Sequence, residues 1–259
     1  MFNIEGTVAI VTGAVDSIGR DIVNSLLSNN AKGVALLDAN DAQAEEFQAS
    51  LDKEFGAKKT LFLKVDVTDF EKVKDAFKKC VDHFGNLDIV VNNADIIGNI
   101  EMVIKINLLA TIQISNFAFF DFLPKYRKGK EGVIINIASV VGLYPSHMLP
   151  DYSAAKQGVV AYTQALGVNG RYENAPVKVM ALCPGVIDTE IFVGVPEYYQ
   201  QFMRELDFIC QPPGVVGKGL IKVLKEGSTG SIWVSKKNEP AIEFKYKSKT
   251  FPILRKLVS

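Results

Sequence analysis

Short apolar, β-branched runs alternate along the chain with stretches whose apolar positions recur every three or four residues. The runs are Thr7 to Val11, Gly33 to Leu37, Thr60 to Val65, Leu87 to Val91, Gly132 to Ile137, Val177 to Leu182 and Ser231 to Val234. Runs without polar alternation read as strands covered on both faces, the condition of a parallel sheet. Between the first two, Ile18, Ile22, Val23, Leu26 and Leu27 fall at helical spacing, as do Phe70, Val73, Ala76, Phe77, Cys80 and Val81 further on. Strand, helix, strand repeated in this way implies right-handed crossovers. The pattern therefore predicts an α/β fold with a doubly wound, seven-stranded parallel sheet and helices on both faces.

No repeat, low-complexity tract or flexible linker breaks the chain, so one domain over residues 1–259 is expected. The rhythm does break between Asp188 and Pro213, where Pro196, Tyr198, Tyr199, Phe202, Phe208 and Pro212-Pro213 separate a strand from the next helix. An insertion at that place is suited to covering a pocket. The tail from about 235 to 259 is rich in lysine and interleaved with Ile242, Phe244, Tyr246 and Phe251, and it reads as solvated or subunit-bridging in preference to the alternative of a membrane-surface segment.

Composition narrows the function. Hydrophobic residues make up 48% and charged residues 22% of the 259, an ordinary globular balance that excludes disorder. Lys plus Arg equals Asp plus Glu at 29 each, so the basic excess of a nucleic-acid binder is missing and no nucleic-acid partner is expected. Cys80, Cys183 and Cys210 are too few for a disulfide framework and lack zinc-site spacing, so no metal is expected. Met1 to Gly6 lacks a basic segment followed by an apolar one, and no run approaches the roughly 18 apolar residues of a membrane span. The expectation is a cytoplasmic protein with no transmembrane segment.

The first strand ends in Thr12-Gly13-Ala14-Val15-Asp16-Ser17-Ile18-Gly19 and runs straight into a helix. There, backbone N–H groups and the positive helix end receive a pyrophosphate, and glycines stand where the backbone must approach the ligand. Gly13, Ser17, Ile18 and Gly19 are the candidates for that role, although a plain strand-to-helix turn gives the same pattern. About 20 residues on, Asp38 closes the second strand, where a carboxylate accepts from an adenosine ribose and repels a 2′-phosphate. It points to NAD over NADP; the competing reading is that Asp38 only caps the next helix. Asp66 and Val67 after the third strand, and Asn92-Asn93-Ala94 after the fourth, fall on the adenine side of such a ligand.

Tyr152-Ser153-Ala154-Ala155-Lys156 opens a helix on which positions i and i+4 share a face, so an ammonium lies beside a phenol. The lysine is expected to lower the tyrosine from its ordinary pKa of about 10, which makes Tyr152 a candidate general base. Ser139, at the end of the fifth strand and 13 positions earlier, can bring a hydroxyl to the same substrate oxygen.

With these residues in order, the chain resembles the short-chain dehydrogenase/reductase family from Gly6 to about Phe244. The family's glycine loop, NNAG element, strand-end serine, YxxxK pair and PG element all have counterparts. The resemblance implies a single-domain Rossmann-type fold and a catalytic tetrad of Asn107, Ser139, Tyr152 and Lys156. It places Pro184 to Thr189, with Gly185, Ile187 and Thr189, along the nicotinamide. It also implies a homodimer or homotetramer paired through helices spanning roughly Asn107 to Phe122 and Asp151 to Gly167. Asp82-His83-Phe84-Gly85, the run Ile134 to Gly142 and Gly230-Ser231-Ile232-Trp233 are similar to the 15-hydroxyprostaglandin and insect-type alcohol dehydrogenase branches, both of which oxidise alcohols with NAD.

Several residues depart from the pattern. In a loop that reads TGxxxGxG in the family, Ser17 replaces the middle glycine, and Asp16 brings a carboxylate near the expected diphosphate. Serine is accommodated at negative φ and strained at positive φ. Asp95 replaces the glycine of NNAG; Asp is one of the few residue types that accept the left-handed region. Leu149 stands where prostaglandin-type enzymes carry a substrate-binding glutamine. A pocket of Leu149, Phe192, Tyr198, Phe202 and Phe208 suits a lipid-like or isoprenoid alcohol better than a small polar one. His147 reads as lining or exposed, and Phe117, Phe119, Phe120 and Phe122 as core or subunit packing. The expected function is NAD-dependent interconversion of an alcohol and its carbonyl: Tyr152 takes the proton, Lys156 holds the nicotinamide ribose, Ser139 orients the substrate oxygen and Asn107 fixes a water. The alternative raised by Asp16, Ser17 and Asp95 is a relative that keeps the fold without useful cofactor binding, as a storage or ligand-binding protein.

Overall fold

A computed structural model of the protein describes residues 1–185, 187, 211, 214–236 and 239–245. In chain order its elements are β1 (Val8–Thr12), α1 (Ser17–Ser28), β2 (Gly33–Asp38), α2 (Asp41–Phe55), β3 (Thr60–Lys64), α3 (Phe70–Phe84) and β4 (Ile89–Asn92). There follow a long helix α4 (Ile100–Tyr126), β5 (Gly132–Ile137), α5 (Pro150–Leu166), a short α6 (Asn169–Asn174), β6 (Val177–Cys183), α7 (Gly214–Glu226), β7 (Ile232–Lys236) and β8 (Glu239–Phe244).

The strands form one sheet in the order β3-β2-β1-β4-β5-β6-β7-β8, parallel as far as β7. Seven parallel strands agree with the hydrophobic pattern. The eighth is a correction to it: β8 pairs antiparallel with β7 at the edge. Its segment Glu239-Pro240-Ala241-Ile242-Glu243-Phe244 falls within the stretch expected to be tail; it mixes charges with a proline, which an edge strand tolerates.

Side-chain alternation along the strands builds a core on each face. On one, Ala9, Val11, Leu36 and Ile135 meet Ile22 and Leu26 of α1, Phe47 of α2 and Leu220 of α7. On the other, Val8, Ile10, Leu37 and Ile134 meet Phe77 of α3 and Ile114, Phe119 and Phe122 of α4. Phe77 packs edge-on against Phe117 and Phe122, ring centroids 5.3 and 5.2 Å apart. Packing accounts for three of the four phenylalanines in that run, while Phe120 is 55% exposed.

Helix α4 is longer than the expected span from Asn107, beginning with an Asn99 side-chain cap and including π-helical stretches at Ile104–Ala110 and Phe117–Phe122. By length and composition it also qualifies as a candidate membrane span, which the sequence reading had overlooked; the core helix of a soluble protein passes the same test, and one face of α4 is packed on the sheet.

The sheet order reverses between β1 and β4. Crossovers on either side of that point leave a crevice beyond the strands' carboxyl ends, the place where open α/β sheets bind ligands. A buried polar network stiffens its floor: Asn92 Nδ2 donates to Ser115 Oγ at 2.9 Å and Asn136 Oδ1 at 2.8 Å, and Asn136 Nδ2 donates to Thr163 Oγ1 at 2.9 Å. Strands β4 and β5 are thereby tied to α4 and α5, the helices that carry the candidate catalytic residues.

Candidate active site

The loop after β1 closes by backbone packing. Gly13 takes φ +61°, and a Cβ there would lie 2.8 Å from Ala94 Cα; at Gly19 it would lie 2.0 Å from the Gly13 carbonyl oxygen. Ser17 is not among the residues of positive φ, so it sits without strain as the first residue of α1. Asp16 is the cap of that helix and accepts from the Gly19 N–H at 2.5 Å. One of the helix donors that a diphosphate would use thus meets a side chain of the protein.

Protein atoms crowd the Asp16 carboxyl and push it up to about 7; the Gly19 and Asn93 hydrogen bonds pull it down, while Asp38 and Asp95 add repulsion. The residue nevertheless opens to solvent, which damps the shift. Near neutral pH Asp16 therefore holds a proton more readily than an ordinary aspartate.

Asp38 ends β2 half-buried, its Oδ2 accepting from Val15 N–H at 3.1 Å and its Oδ1 from Asn40 N–H at 3.0 Å. It does not cap α2, since Asn40 does so by accepting from Gln43 N–H at 3.2 Å. Asn93 Nδ2 donates to the Gly13 carbonyl at 2.8 Å, and Thr12 Oγ1 accepts from the N–H groups of Asn93 and Ala94 at 3.0 and 3.1 Å. Thr12 thus ties the two loops of the crevice together. The sequence reading missed that role, although the residue opens the glycine motif. Asp66 is exposed and engaged with Thr68, and Val67 is buried beside it.

Helix α5 carries Tyr152 and Lys156. Lys156 is almost completely buried, donates to the Ile137 carbonyl at 3.1 Å and lies 5.4 Å from the centre of the Tyr152 ring. Between the two side chains stands a group not assigned to this role from sequence. Tyr152 Oη donates to Asp95 Oδ2 at 2.6 Å, and Lys156 Nζ is 3.0 Å from Asp95 Oδ1. The latter is an ion pair without hydrogen-bond geometry, since Oδ1 is buried and has no hydrogen-bond partner. Asp95 is not in the left-handed region, so the conformational allowance expected of it is not used.

Ser139, which follows β5 after Ala138, accepts from Val141 N–H at 3.3 Å and caps a short 3-10 turn over Val140–Gly142. Asn107 is buried in the first π-helical stretch and clasps Ile96 with both ends of its amide, accepting from the N–H at 3.0 Å and donating to the carbonyl at 2.8 Å. It thereby anchors the loop that presents Asp95. Leu149 is half-buried immediately before α5, and His147 is exposed. Gly185 packs on Gln211, and Ile187 is buried and bridges Gln211. Thr189, Phe192, Tyr198, Phe202 and Phe208, with most of the 188–213 insertion and the tail beyond 245, lie outside the described residues. Burial pushes the Cys80 and Cys183 thiols up to about 12, which leaves both neutral and unreactive.

Residues 7–199 match the model of the short chain dehydrogenase family. The chain belongs to that family. Among its relatives it is 36% identical over 236 residues to human 15-hydroxyprostaglandin dehydrogenase [NAD(+)], covering 86% of this chain and 88% of that protein. It is 28% identical over 241 residues to alcohol dehydrogenase 1 of Ceratitis cosyra, covering 90% and 93%. In fold it is similar to a 3-ketoacyl-(acyl-carrier-protein) reductase from Brucella melitensis complexed with NADH, at TM-score 0.75, 24% identity and coverage of 89% and 97%. A short-chain type dehydrogenase/reductase from Mycobacterium marinum gives TM-score 0.79 at 21% identity, covering 91% and 96%.

The protein is accordingly an oxidoreductase of the short chain dehydrogenase family. The residues present fit a nicotinamide dinucleotide, the group in the name of the human relative. Asp38 retains acceptor capacity for a ribose, and the Lys156 ammonium has three N–H donors, of which Ile137 takes one by hydrogen bond and Asp95 engages the charge. The carboxylates of Asp16 and Asp95 are the features that a dinucleotide has to displace or neutralise.

Proposed function

We propose that the protein is an NAD-dependent oxidoreductase that interconverts an apolar, lipid-like or isoprenoid alcohol and its carbonyl, with Tyr152 exchanging the proton at the substrate oxygen. The observation that carries this reading is the buried Lys156 beside Tyr152 on one face of α5. A fully buried ammonium is costly unless it is paired, and this one, paired with Asp95, is held at the crevice next to a phenol.

The bound nicotinamide would supply the hydride chemistry. Lys156 offers its remaining donor capacity to the nicotinamide ribose. Ser139 presents its hydroxyl to the substrate oxygen from just beyond β5, and Asn107 keeps the Ala94-to-Ile96 loop in place by its two bonds to Ile96. Asp38 accepts from the adenosine ribose and opposes a 2′-phosphate, in keeping with the NAD(+) in the name of the human relative. Leu149, in place of a polar residue, and the aromatic composition of the 188–213 insertion favour an apolar substrate. Exposed Leu109 and Phe120 on α4 favour assembly with a second copy.

Titration with NADH and separately with NADPH, followed by nicotinamide fluorescence, tests the cofactor. NADH is expected to bind more tightly than NADPH, and Asp38→Ala is expected to narrow the difference. Equal affinity in the unsubstituted protein removes the role given to Asp38, and no binding of either at millimolar concentration removes the enzymatic reading.

A further inference from the structure

Asp95 stands at the position of the family motif's last glycine, and its carboxylate meets both members of the Tyr152–Lys156 pair. Tyr152 Oη gives its proton to a 2.6 Å hydrogen bond with Oδ2, and Lys156 Nζ lies 3.0 Å from Oδ1. The contact is sheltered: side-chain exposure is 1% for Lys156 and 15% for Asp95. Its backbone setting is also held, by Thr12 accepting from Ala94 N–H on one side and by Asn107 clasping Ile96 on the other.

Two physical effects follow, and they have the same sign. A carboxylate that accepts from a phenol stabilises the phenol over the phenolate. Placed against an ammonium, it also offsets the positive charge that would otherwise favour the phenolate. The expected lowering of Tyr152 by Lys156 is therefore opposed by a residue 57 positions away in sequence. Other titratable groups interact with this cluster: Asp16 with Asp95, and Cys183 with Lys156, the thiol being neutral. Asp151 precedes Tyr152 on α5, and His147 lies exposed before the helix.

We propose that Asp95 is a positioning residue that keeps the proton on Tyr152 and so biases the site toward carbonyl reduction near neutral pH. The proposal rests on the reading of Tyr152 as the proton-exchanging group. In reduction, a bound reduced nicotinamide would supply the hydride to the carbonyl carbon, Tyr152 gives its proton to the carbonyl oxygen, and the phenolate left behind regains a proton from water. Alcohol oxidation needs the phenolate first, and Asp95 opposes its formation. A dinucleotide that draws Lys156 toward its ribose has to loosen the ion pair with Asp95, which weakens binding as well.

The test is an ultraviolet tyrosinate titration of the cofactor-free protein, with Tyr152→Phe subtracted to isolate this residue among the 8 tyrosines. Asp95→Gly restores the family residue, and Asp95→Asn keeps the shape without the charge. In both, the Tyr152 transition is expected to move down by about one to two pH units. The pH midpoint of alcohol oxidation should fall with it, and NADH should bind more tightly. A Tyr152 transition unchanged in both variants overturns the proposal while leaving the function of Tyr152 intact. Full turnover of Tyr152→Phe overturns the reading beneath it, and that outcome is measured separately.

Discussion

At the scale of single residues, three carboxylates define this site. Asp38 is the one that the sequence singles out, because a strand-end acid about 20 residues past a glycine loop suits an adenosine ribose; the competing use, capping α2, falls to Asn40. Asp16 was legible as an anomaly; its capping of α1 and its elevated proton affinity depend on the folded loop. A carboxyl raised toward about 7 by burial, and held somewhat below that by its exposure to solvent, is charged at alkaline pH and gains its proton as pH falls, so its repulsion of a diphosphate fades in that direction. NADH affinity is therefore expected to tighten between about pH 8 and pH 6, and Asp16→Asn should flatten that dependence. Near pH 8 the variant should bind about two- to fivefold more tightly, the range of a partly screened charge contact. Fluorescence titration across pH checks this, and a pH-independent affinity in the unsubstituted protein would remove the role given to Asp16. The third carboxylate, Asp95, was visible only as a missing glycine; no local pattern indicates that it reaches Tyr152.

At the scale of elements, the parallel strands were readable because burial on both faces leaves uninterrupted apolar runs, as in β1 and β5, whose residues are all buried. Boundaries moved by a few residues: β4 is Ile89–Asn92 and α5 is Pro150–Leu166. The edge strand β8 was lost among charges because only part of it is covered; Ala241 is buried, whereas Ile242 and Phe244 are exposed. The Asn92, Ser115, Asn136 and Thr163 network was also missed, since polar residues inside strand and helix patterns carry no sign of their partners. Elements also set the reach of the candidate catalytic groups. A Cβ on Gly142 would lie 2.7 Å from the Lys156 carbonyl oxygen, backbone against backbone, so Gly142→Ala has to push the turn after Ser139 away from α5. It is expected to lower turnover by up to about 10²-fold, the effect of displacing catalytic groups by about an ångström, with a cooperative thermal transition retained. Steady-state kinetics beside a melting curve separate the two, and unaltered kinetics would show that Ser139 and α5 need not keep this spacing.

The described residues form one doubly wound domain whose ligand crevice follows from topology: the sheet order reverses at β1 and β4, and the ends of those strands are joined through Thr12 and Asn93. Outside the crevice, α4 turns Leu109 (46% exposed) and Phe120 (55% exposed) to solvent. Exposed large apolar side chains on a helix that otherwise packs on the sheet favour a self-complementary contact between copies. Sedimentation is expected to give a dimer or tetramer, and Phe120→Glu to shift it toward monomer. A monomer at micromolar concentration without the substitution would contradict assembly through this face.

The most direct measurement compares turnover and NADH affinity in the unsubstituted protein and in Tyr152→Phe, which removes the phenolic oxygen and keeps the ring beside Lys156. Turnover should fall by about 10² to 10⁴-fold, the range of a lost proton-transfer group, with NADH affinity little changed. Turnover that survives the substitution would contradict proton exchange at Tyr152 and the oxidoreductase mechanism built on it.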